Sequence, residues 1–193
     1  MLGRFDVLRE PPVTLDGIDG PLSGAGVTGQ TRVLADLAGL FADEGARLAL
    51  PADRLVYRVQ AFAPDQNAAH GSLCYGMTFL EPGIVGSEYY MTKGHFHANR
   101  EAAEIYWCGG GEGLLVLMDE TRNAWAERMF PGSLHYIGPH TAHRLVNTGD
   151  QTLCVRACWP GDAGHDYDTI AREGFSVRVL RVDGKPAIVG EAA

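Results

Sequence analysis

Positive charges are scarce in this sequence, and their scarcity excludes several classes of partner. The 193 residues contain 16 Lys and Arg against 24 Asp and Glu, a formal net charge of −8 at pH 7. This balance disfavours a general attraction to nucleic acid or to an anionic membrane surface. An anionic small molecule is still compatible with it, provided that a local group of hydrogen-bond donors receives the negative charge.

Long apolar runs and cysteines are also few. No run reaches the length that spans a membrane, and the opening "MLGRFDVLRE" lacks the apolar region of a secretory signal. The four cysteines, Cys74, Cys108, Cys154 and Cys158, are therefore interpreted as reduced and mostly buried thiols rather than as two disulfides. These features predict a cytoplasmic protein.

Helical periodicity occurs convincingly at one place. After the Gly- and Pro-rich stretch "PPVTLDGIDGPLSGAGVTGQ", which predicts loops with short extended pieces, comes "TRVLADLAGLFADEGA". Val33, Leu34, Leu37 and Phe41 are spaced as on one face of a helix, and Thr31 is a candidate N-cap. We therefore expect one short helix in the first fifty residues.

From about Arg54 the pattern changes to short β-type runs separated by Gly and Pro, at about 8–12 residues per unit. This spacing predicts an all-β antiparallel sandwich or small barrel. We expect an N-terminal extension at 1–53 that packs on a barrel at 54–182, followed by a tail at 183–193. The predicted strands are "RLVYRVQAF", "SLCYGMTFL", "SEYYMTKGHFH", "EIYWC", "GLLVLM", "AWAERMF", "LHYIG", "HRLVNT", "TLCVRACWP" and "FSVRVLRV".

Three of those strands bring together histidines and a glutamate. Side chains alternate along a strand, so His95 and His97 point to one face, about 7 Å apart. A hairpin would return Glu104 beside them, and His143 opens another strand after a proline. Three imidazoles and a carboxylate suit Fe, Mn, Ni or Zn. The alternative is that the His-x-His pair is incidental, as it often is in isolation.

The segments "GHFHANREAAEIY", "PGSLHYIGPHTAHRLVN" and "PGDAGHDY" resemble those of the cupin-type glucose-6-phosphate isomerases, which are metal-dependent. The first two match generic cupin motifs, whereas "DAGHDY" with "TKGHFHA" is specific to this group. The resemblance runs from about residue 57 to 170. It implies a cupin fold (a double-stranded β-helix, or jelly-roll barrel), an N-terminal extension carrying a helix, a homodimer, and one divalent metal ion per subunit, Fe²⁺ first among the candidates.

The resemblance also implies roles for individual residues and a phosphorylated sugar as substrate. The metal ligands correspond to His95, His97, Glu104 and His143, in agreement with the spacing. The positions that hold the phosphate correspond to Tyr57, Thr78, Thr92 and Gly94, and those that contact the sugar chain to Tyr106, His165 and Tyr167.

The implied reaction interconverts glucose 6-phosphate and fructose 6-phosphate. A base that removes the C2 proton gives a cis-enediolate, and a direct hydride shift is the alternative. Glu104 is the expected base as well as a ligand, with Tyr106 relaying a proton between the two oxygens and His165 assisting ring opening. Rival hypotheses are another sugar-phosphate isomerase, an Fe(II) dioxygenase, and a binding module without catalysis.

Four residues carry open questions. Regular alternation places Thr92 opposite His95, against its implied phosphate role, unless a bulge at Gly94 intervenes. Lys93 is either a phosphate partner or a solvated lysine. His140 stands where the family often has an aromatic residue and is left open, and His135 is expected to be a partly exposed histidine at a strand end.

Overall fold

Short runs of β-branched and aromatic residues form the strands of the computed structural model, which describes residues 9–17, 20–64 and 71–190. The strands are β1 (Val13–Leu15), β2 (Leu22–Gly24), β3 (Val27–Val33), β4 (Leu55–Phe62), β5 (Leu73–Leu80), β6 (Ile84–Val85), β7 (Glu88–Tyr89), β8 (Glu104–Gly110), β9 (Gly113–Asp119), β10 (Ala124–Met129), β11 (Leu134–Ile137), β12 (Thr141–Asn147), β13 (Leu153–Pro160), β14 (Val177–Val182) and β15 (Lys185–Gly190). Helical pieces are a 3₁₀ turn (Leu34–Leu37), α1 (Glu44–Leu48) and α2 (Tyr167–Glu173).

The strands assemble into antiparallel sheets around one core. A six-stranded sheet has the order β11-β8-β13-β5-β4-β3, and two smaller sheets have the orders β10-β9-β12 and β15-β14-β7-β6. One buried cluster contains Leu80 and Val155 from the large sheet together with Leu117, Val146 and Val179 from the smaller ones. The predicted all-β class is confirmed. Within the described ranges, no helix has the length and apolarity needed to cross a membrane.

Every predicted strand except "SEYYMTKGHFH" coincides with a regular strand. That segment is extended only at β7 and then continues through single bridges, among them Met91 to Val146 and His95 to His143. Its departure from a regular strand matters for the site, because side-chain alternation is interrupted at Gly94, where φ is +75°.

A short helix does lie within the first fifty residues, as predicted, but it begins at Glu44 and not near Thr31. Thr31 and Val33 lie in β3, which hydrogen-bonds with β4, so sheet pairing prevails over the local helical spacing. The spacing of apolar residues nevertheless indicated burial correctly, since Leu34 and Leu37 are buried in the 3₁₀ turn. The α-helix begins later, after Asp43, whose carboxylate accepts the backbone N–H of Ala46 at 2.8 Å.

A second helix, α2, was not predicted from the sequence. Asp166 precedes it and caps it, accepting the backbone N–H of Thr169 at 3.1 Å, and Gly174 follows its last residue. An N-cap aspartate and a terminal glycine were therefore the available signals. Only seven residues separate them, too few for helical periodicity to be recognised.

Strands from both flanks of the predicted barrel join its sheets. β3 is a member of the six-stranded sheet, and β15 pairs with β14 along its whole length. Glu88 fastens the N-terminal part to β14, because one carboxylate oxygen accepts the N–H of Ala42 at 2.8 Å and the other accepts Arg178 at 2.9 Å. The boundaries at residues 53 and 182 remain predictions.

We expect Glu88→Ala to lower the free energy of unfolding by roughly 2–3 kcal/mol, because it removes the buried carboxylate that accepts the Ala42 N–H and pairs with Arg178. Urea unfolding followed by circular dichroism measures the change. Asp150→Ala, at an exposed position, serves as the control and should stay within about 0.5 kcal/mol of the unaltered protein. Equal stability of the two variants would contradict the fastening role of Glu88.

Candidate metal centre

The four predicted ligands lie together in the structure. His95, His97, Glu104 and His143 each offer one ligand atom, and these atoms lie within 4.8 Å of one another. Backbone hydrogen bonds of 3.2 and 3.0 Å join His95 to His143, whereas Phe96 bonds to Asp166 instead. His95 and His97 therefore face the same point, as strand alternation predicts for this pair.

Hydrogen bonds fix how the imidazoles are presented. Nδ1 of His97 lies 3.0 Å from the carbonyl oxygen of Ala102, which can only accept, so Nδ1 carries the proton and Nε2 keeps its lone pair. Nε2 of His97 lies 3.1 Å from Oε2 of Glu104. Nε2 of His143 lies 3.2 Å from the same oxygen. One carboxylate oxygen thus faces two imidazole nitrogens at the centre of the group.

Two buried nitrogens at this point form no hydrogen bond within the described part of the chain, Nε2 of His95 and Nε2 of His143. The second lies 3.2 Å from the Glu104 carboxylate, whereas the first has no such neighbour among the described residues. A buried nitrogen left in this way is costly, and coordination to a cation would satisfy it. The donor set of three imidazoles and a carboxylate suits a divalent first-row metal. The residues therefore fit the implied metal ion.

The protonation states of His95 and Glu104 favour the binding of a cation. Burial, reinforced by the neighbouring histidines, lowers the pKa of His95 well below its ordinary value, so its ring is neutral. Burial raises the pKa of Glu104, but the adjacent imidazoles of His143 and His97 outweigh burial, and the net shift is downward. An ionised carboxylate and a neutral imidazole are the forms that bind metal.

A cavity opens beside the metal group. Small residues make room for it: Ala157 lies opposite Tyr106 in the sheet register, and Gly76 lies opposite Ala157. A Cβ on Gly76 would lie 2.8 Å from the ring of Trp159, another lining residue that the sequence did not single out. Every predicted site residue except His97 lines this cavity: Tyr57, Thr78, Thr92, Gly94, His95, Glu104, Tyr106, His143, His165 and Tyr167.

Gly94 resolves the question of Thr92. Its φ is +75°, and a Cβ there would lie 2.7 Å from Phe175, so glycine is required on both counts. The backbone turns at this residue, and Thr92 and His95 line the same cavity. Oγ1 of Thr92 accepts the N–H of Leu145 at 3.0 Å, which leaves its hydroxyl hydrogen able to donate elsewhere.

Uncharged groups surround the cavity. Burial raises the pKa of Tyr57 to about 12, although a backbone hydrogen bond from Lys93 opposes the shift. Burial and then the charge of Glu104 raise the pKa of Tyr106 well above its ordinary value. Burial lowers the pKa of His165 and raises that of Tyr167. At neutral pH the phenols are donors, and the imidazole of His165 can accept a proton.

The remaining histidines take different places. His140 is exposed and lies between two carboxylates, with Nε2 at 2.9 Å from Glu101 and Nδ1 at 3.1 Å from Glu120. The hydrogen bond with Glu101 and the charge of Glu120 raise the pKa of His140.

The expectation of a partly exposed His135 is wrong, because β11 turns its side chain inward and buries it. Its Nε2 lies 2.9 Å from the Ser133 hydroxyl, and its Nδ1 lies 2.6 Å from the Glu127 carboxylate. Lys93 lines the cavity.

Comparisons with known proteins agree with this geometry. Residues 31–189 match the family model described as "Glucose-6-phosphate isomerase (GPI)". The chain is 41% identical over 184 residues to the glucose-6-phosphate isomerase of Pyrococcus horikoshii, covering 94% of this chain and 95% of that one, with the same figures for Pyrococcus furiosus. A "Putative glucose-6-phosphate isomerase 2" of Rhizobium meliloti is 37% identical over 182 residues, covering 92% and 90%.

These matches extend beyond the motif segments to nearly the whole of each chain, so the likeness is not limited to a shared metal-binding pattern. The cupin fold and the isomerase class expected from the sequence are confirmed, and the chain belongs to the glucose-6-phosphate isomerase (GPI) family.

Proposed function

We propose that this protein interconverts glucose 6-phosphate and fructose 6-phosphate with the help of a divalent metal ion held by His95, His97, Glu104 and His143. The observation that carries the proposal is the buried, partnerless Nε2 of His95, which faces the Glu104 carboxylate at the wall of a donor-lined cavity. Membership of the family supports glucose over mannose as the sugar. A dioxygenase is disfavoured, since the cavity has hydroxyl donors where O₂ chemistry would need an apolar pocket.

The phosphate is proposed to bind at the side of the cavity formed by Tyr57, Thr78, Thr92 and Gly94. Their hydroxyl groups and the backbone N–H of Gly94 are uncharged donors, and the raised pKa of Tyr57 keeps its proton available. Lys93 lines the same cavity and is a candidate for a counter-charge. Such a set holds a dianion without a large basic patch, which reconciles a phosphorylated substrate with a net charge of −8.

The sugar chain is proposed to lie between the metal group and Tyr106, His165 and Tyr167. When bound, the metal supplies Lewis-acid stabilisation of the negative charge that develops on the sugar oxygens. Glu104 removes the proton from C2 to give a cis-enediolate and returns it to C1. The protonated phenol of Tyr106 donates to O1, which becomes a hydroxyl, and takes up the O2 proton in exchange. Neutral His165 accepts the O1 hydroxyl proton of the cyclic sugar and passes it to the ring oxygen O5 as the ring opens.

Several finer properties belong to the same proposal. Fe²⁺ is the proposed native ion, with Mn²⁺, Ni²⁺ and Zn²⁺ as substitutes of matching ligand preference. The reaction would serve glycolysis and gluconeogenesis in the cytoplasm. A reducing compartment is supported by the four cysteines, none of which forms a disulfide.

A homodimer is proposed through the outer face of the six-stranded sheet at β11, its edge strand. Leu134 is 70% exposed and Tyr136 65% exposed, and Ile105 lies opposite Tyr136 on the same face with 41% exposure. Large apolar side chains grouped in this way are typical of protein interfaces. A second copy of the chain would cover both the patch and the unpaired strand edge.

The assay that tests the activity follows fructose 6-phosphate conversion after thorough chelation and again after adding Fe²⁺, Mn²⁺, Ni²⁺ or Zn²⁺. We expect turnover to disappear on chelation and to return with at least one of these ions. Absence of turnover with every ion would overturn the isomerase proposal. Turnover that persists without metal, verified by elemental analysis, would overturn the role of the metal.

We expect His97→Ala to lose bound metal and activity while keeping its fold, because His97 does not line the cavity and serves only the metal group. Elemental analysis, the isomerase assay and circular dichroism measure the three properties. His135→Ala is the matched control, since it also removes a buried imidazole with a carboxylate partner, away from the site. Equal loss of metal in both variants would argue against a ligand role.

We expect Leu134→Asp to convert the dimer into a monomer, because a charge placed in the centre of the patch opposes its burial. Light scattering after size-exclusion chromatography gives the mass. Ile188→Asp changes a similarly exposed apolar residue on β15 and should leave the dimer intact. A monomeric unaltered protein, or an effect of both variants alike, would refute this choice of interface.

A further inference from the structure

Arg100 joins the loop that carries the metal ligands to the segment that carries His165 and Tyr167. Its guanidinium lies 2.5 Å from the Asp166 carboxylate, donates to the backbone carbonyl of His97, and packs over the ring of Phe96 at 4.5 Å. The planar fork of arginine can serve several acceptors at once, which a lysine cannot. The side chain is three-quarters covered, so solvent screens these contacts less than those of a surface ion pair.

Asp166 is held from several sides. Its backbone exchanges hydrogen bonds with Phe96 at 2.8 and 3.3 Å, and its carboxylate accepts both the N–H and the hydroxyl of Thr169 at the start of α2. The hydrogen bond from Arg100 and those from Thr169 hold the pKa of this carboxyl well below its usual range. Asp166 is therefore ionised, and its carboxylate both caps α2 and pairs with Arg100.

His165 and Tyr167 flank Asp166 and depend on its placement. Their rings stack at 5.6 Å with an angle of 6° between planes, and they lie 4.5 and 5.1 Å from the ring of His95. α2 has seven residues and is too short to be stable by itself. A second cavity lies behind it, lined by Ile170 among others, so packing from that side is incomplete.

We propose that the Arg100–Asp166 ion pair is a positioning device that holds His165 and Tyr167 at the sugar side of the metal centre. The proposal rests on the proposed function in one respect, namely that these two side chains contact the substrate. Arg100 and Asp166 do not line the cavity and act through their neighbours.

A second layer of contacts orients Arg100 itself. Its Nε lies 3.4 Å from Glu120, its carbonyl accepts the N–H of His140 at 2.7 Å, and the His140 ring bonds to Glu120 at 3.1 Å. His140, which stands where the family often has an aromatic residue, therefore helps to hold Arg100 in place. These outer contacts are exposed, so we expect them to contribute less than the pair itself.

The kinetic test compares Arg100→Met and Asp166→Asn with the unaltered, metal-loaded protein. Asp166→Asn keeps the cap of α2 and leaves the bond from Arg100 to His97 in place, so it isolates the ion pair. We expect kcat to fall about 10- to 100-fold in both, as for a misplaced reacting group. Inhibition by inorganic phosphate should stay within about twofold, because the proposed phosphate residues lie on other elements, and this contrast separates positioning from general damage.

Three further variants sharpen the test. The kcat of the double variant, Arg100→Met with Asp166→Asn, should be no lower than that of the slower single variant, since both substitutions remove the same interaction. Arg100→Lys should recover part of kcat by restoring the charge without the fork. Arg122→Met is the matched control, because Arg122 contacts Glu173 and the Gly174 carbonyl at the other end of the same helix, and it should leave kcat within about twofold.

Amide hydrogen exchange tests the proposal independently of activity. Asp166→Asn should speed exchange across residues 163–170 and leave β9 and β12 unchanged, with metal content equal to that of the unaltered protein. If the unaltered protein turns over no sugar phosphate with any metal, the proposed function fails, yet the exchange data still decide the positioning role. Three outcomes would each overturn the positioning role of the ion pair. They are unchanged exchange across residues 163–170 in Asp166→Asn, a kcat of Arg100→Met and Asp166→Asn within twofold of the unaltered protein, and an equal effect of Arg122→Met.

Discussion

The burial of three imidazoles and a carboxylate around one point is the constraint on which the rest of this structure depends. Glu104 is 5% exposed, and its Oε2 faces two imidazole nitrogens while a third, on His95, has no protein partner among the described residues. Such a group is costly to bury without a cation that satisfies all four donors. The fold orients two of the imidazoles from behind, because the Ala102 carbonyl lies 3.0 Å from Nδ1 of His97 and the Thr141 carbonyl lies 3.4 Å from Nδ1 of His143.

The same constraint determines the electrostatic character of the cavity. In the proposed function, a metal ion and the Glu104 carboxylate would supply the strong charges at one end, whereas the other end is lined mainly by hydroxyl and phenol groups together with Lys93. A sugar phosphate has a matching arrangement, with reactive oxygens at C1 and C2 and a dianion at the far end. Neutral donors would bind that dianion without opposing the cation, and the raised pKa values of Tyr57 and Tyr106 keep the protons of these phenols in place.

Residue spacing predicted that His95, His97, Glu104 and His143 lie together because strand alternation acts over two residues and hairpins return neighbours to each other. It failed where tertiary pairing decides the local structure. Thr31 and Val33 pair with β4 although their spacing is helical, and Gly94 reverses the alternation that would have excluded Thr92. The roles of Gly76 and Ala157 are invisible in the chain, since only the register of three strands shows that small residues adjoin Tyr106.

On the proposed route Glu104 both holds the cation and moves a proton, and these demands conflict because a carboxylate neutralised by a cation is a weaker base. The structure offers a division between its two oxygens. Both imidazole contacts run through Oε2, so the proton falls to Oε1. Burial and then the charge of Glu104 raise the pKa of Tyr106, two residues along the same strand face, which keeps that phenol a donor. On the proposed route, one carboxylate thereby acts as the base and helps to keep the acid protonated, and its position in turn depends on the histidines beside it.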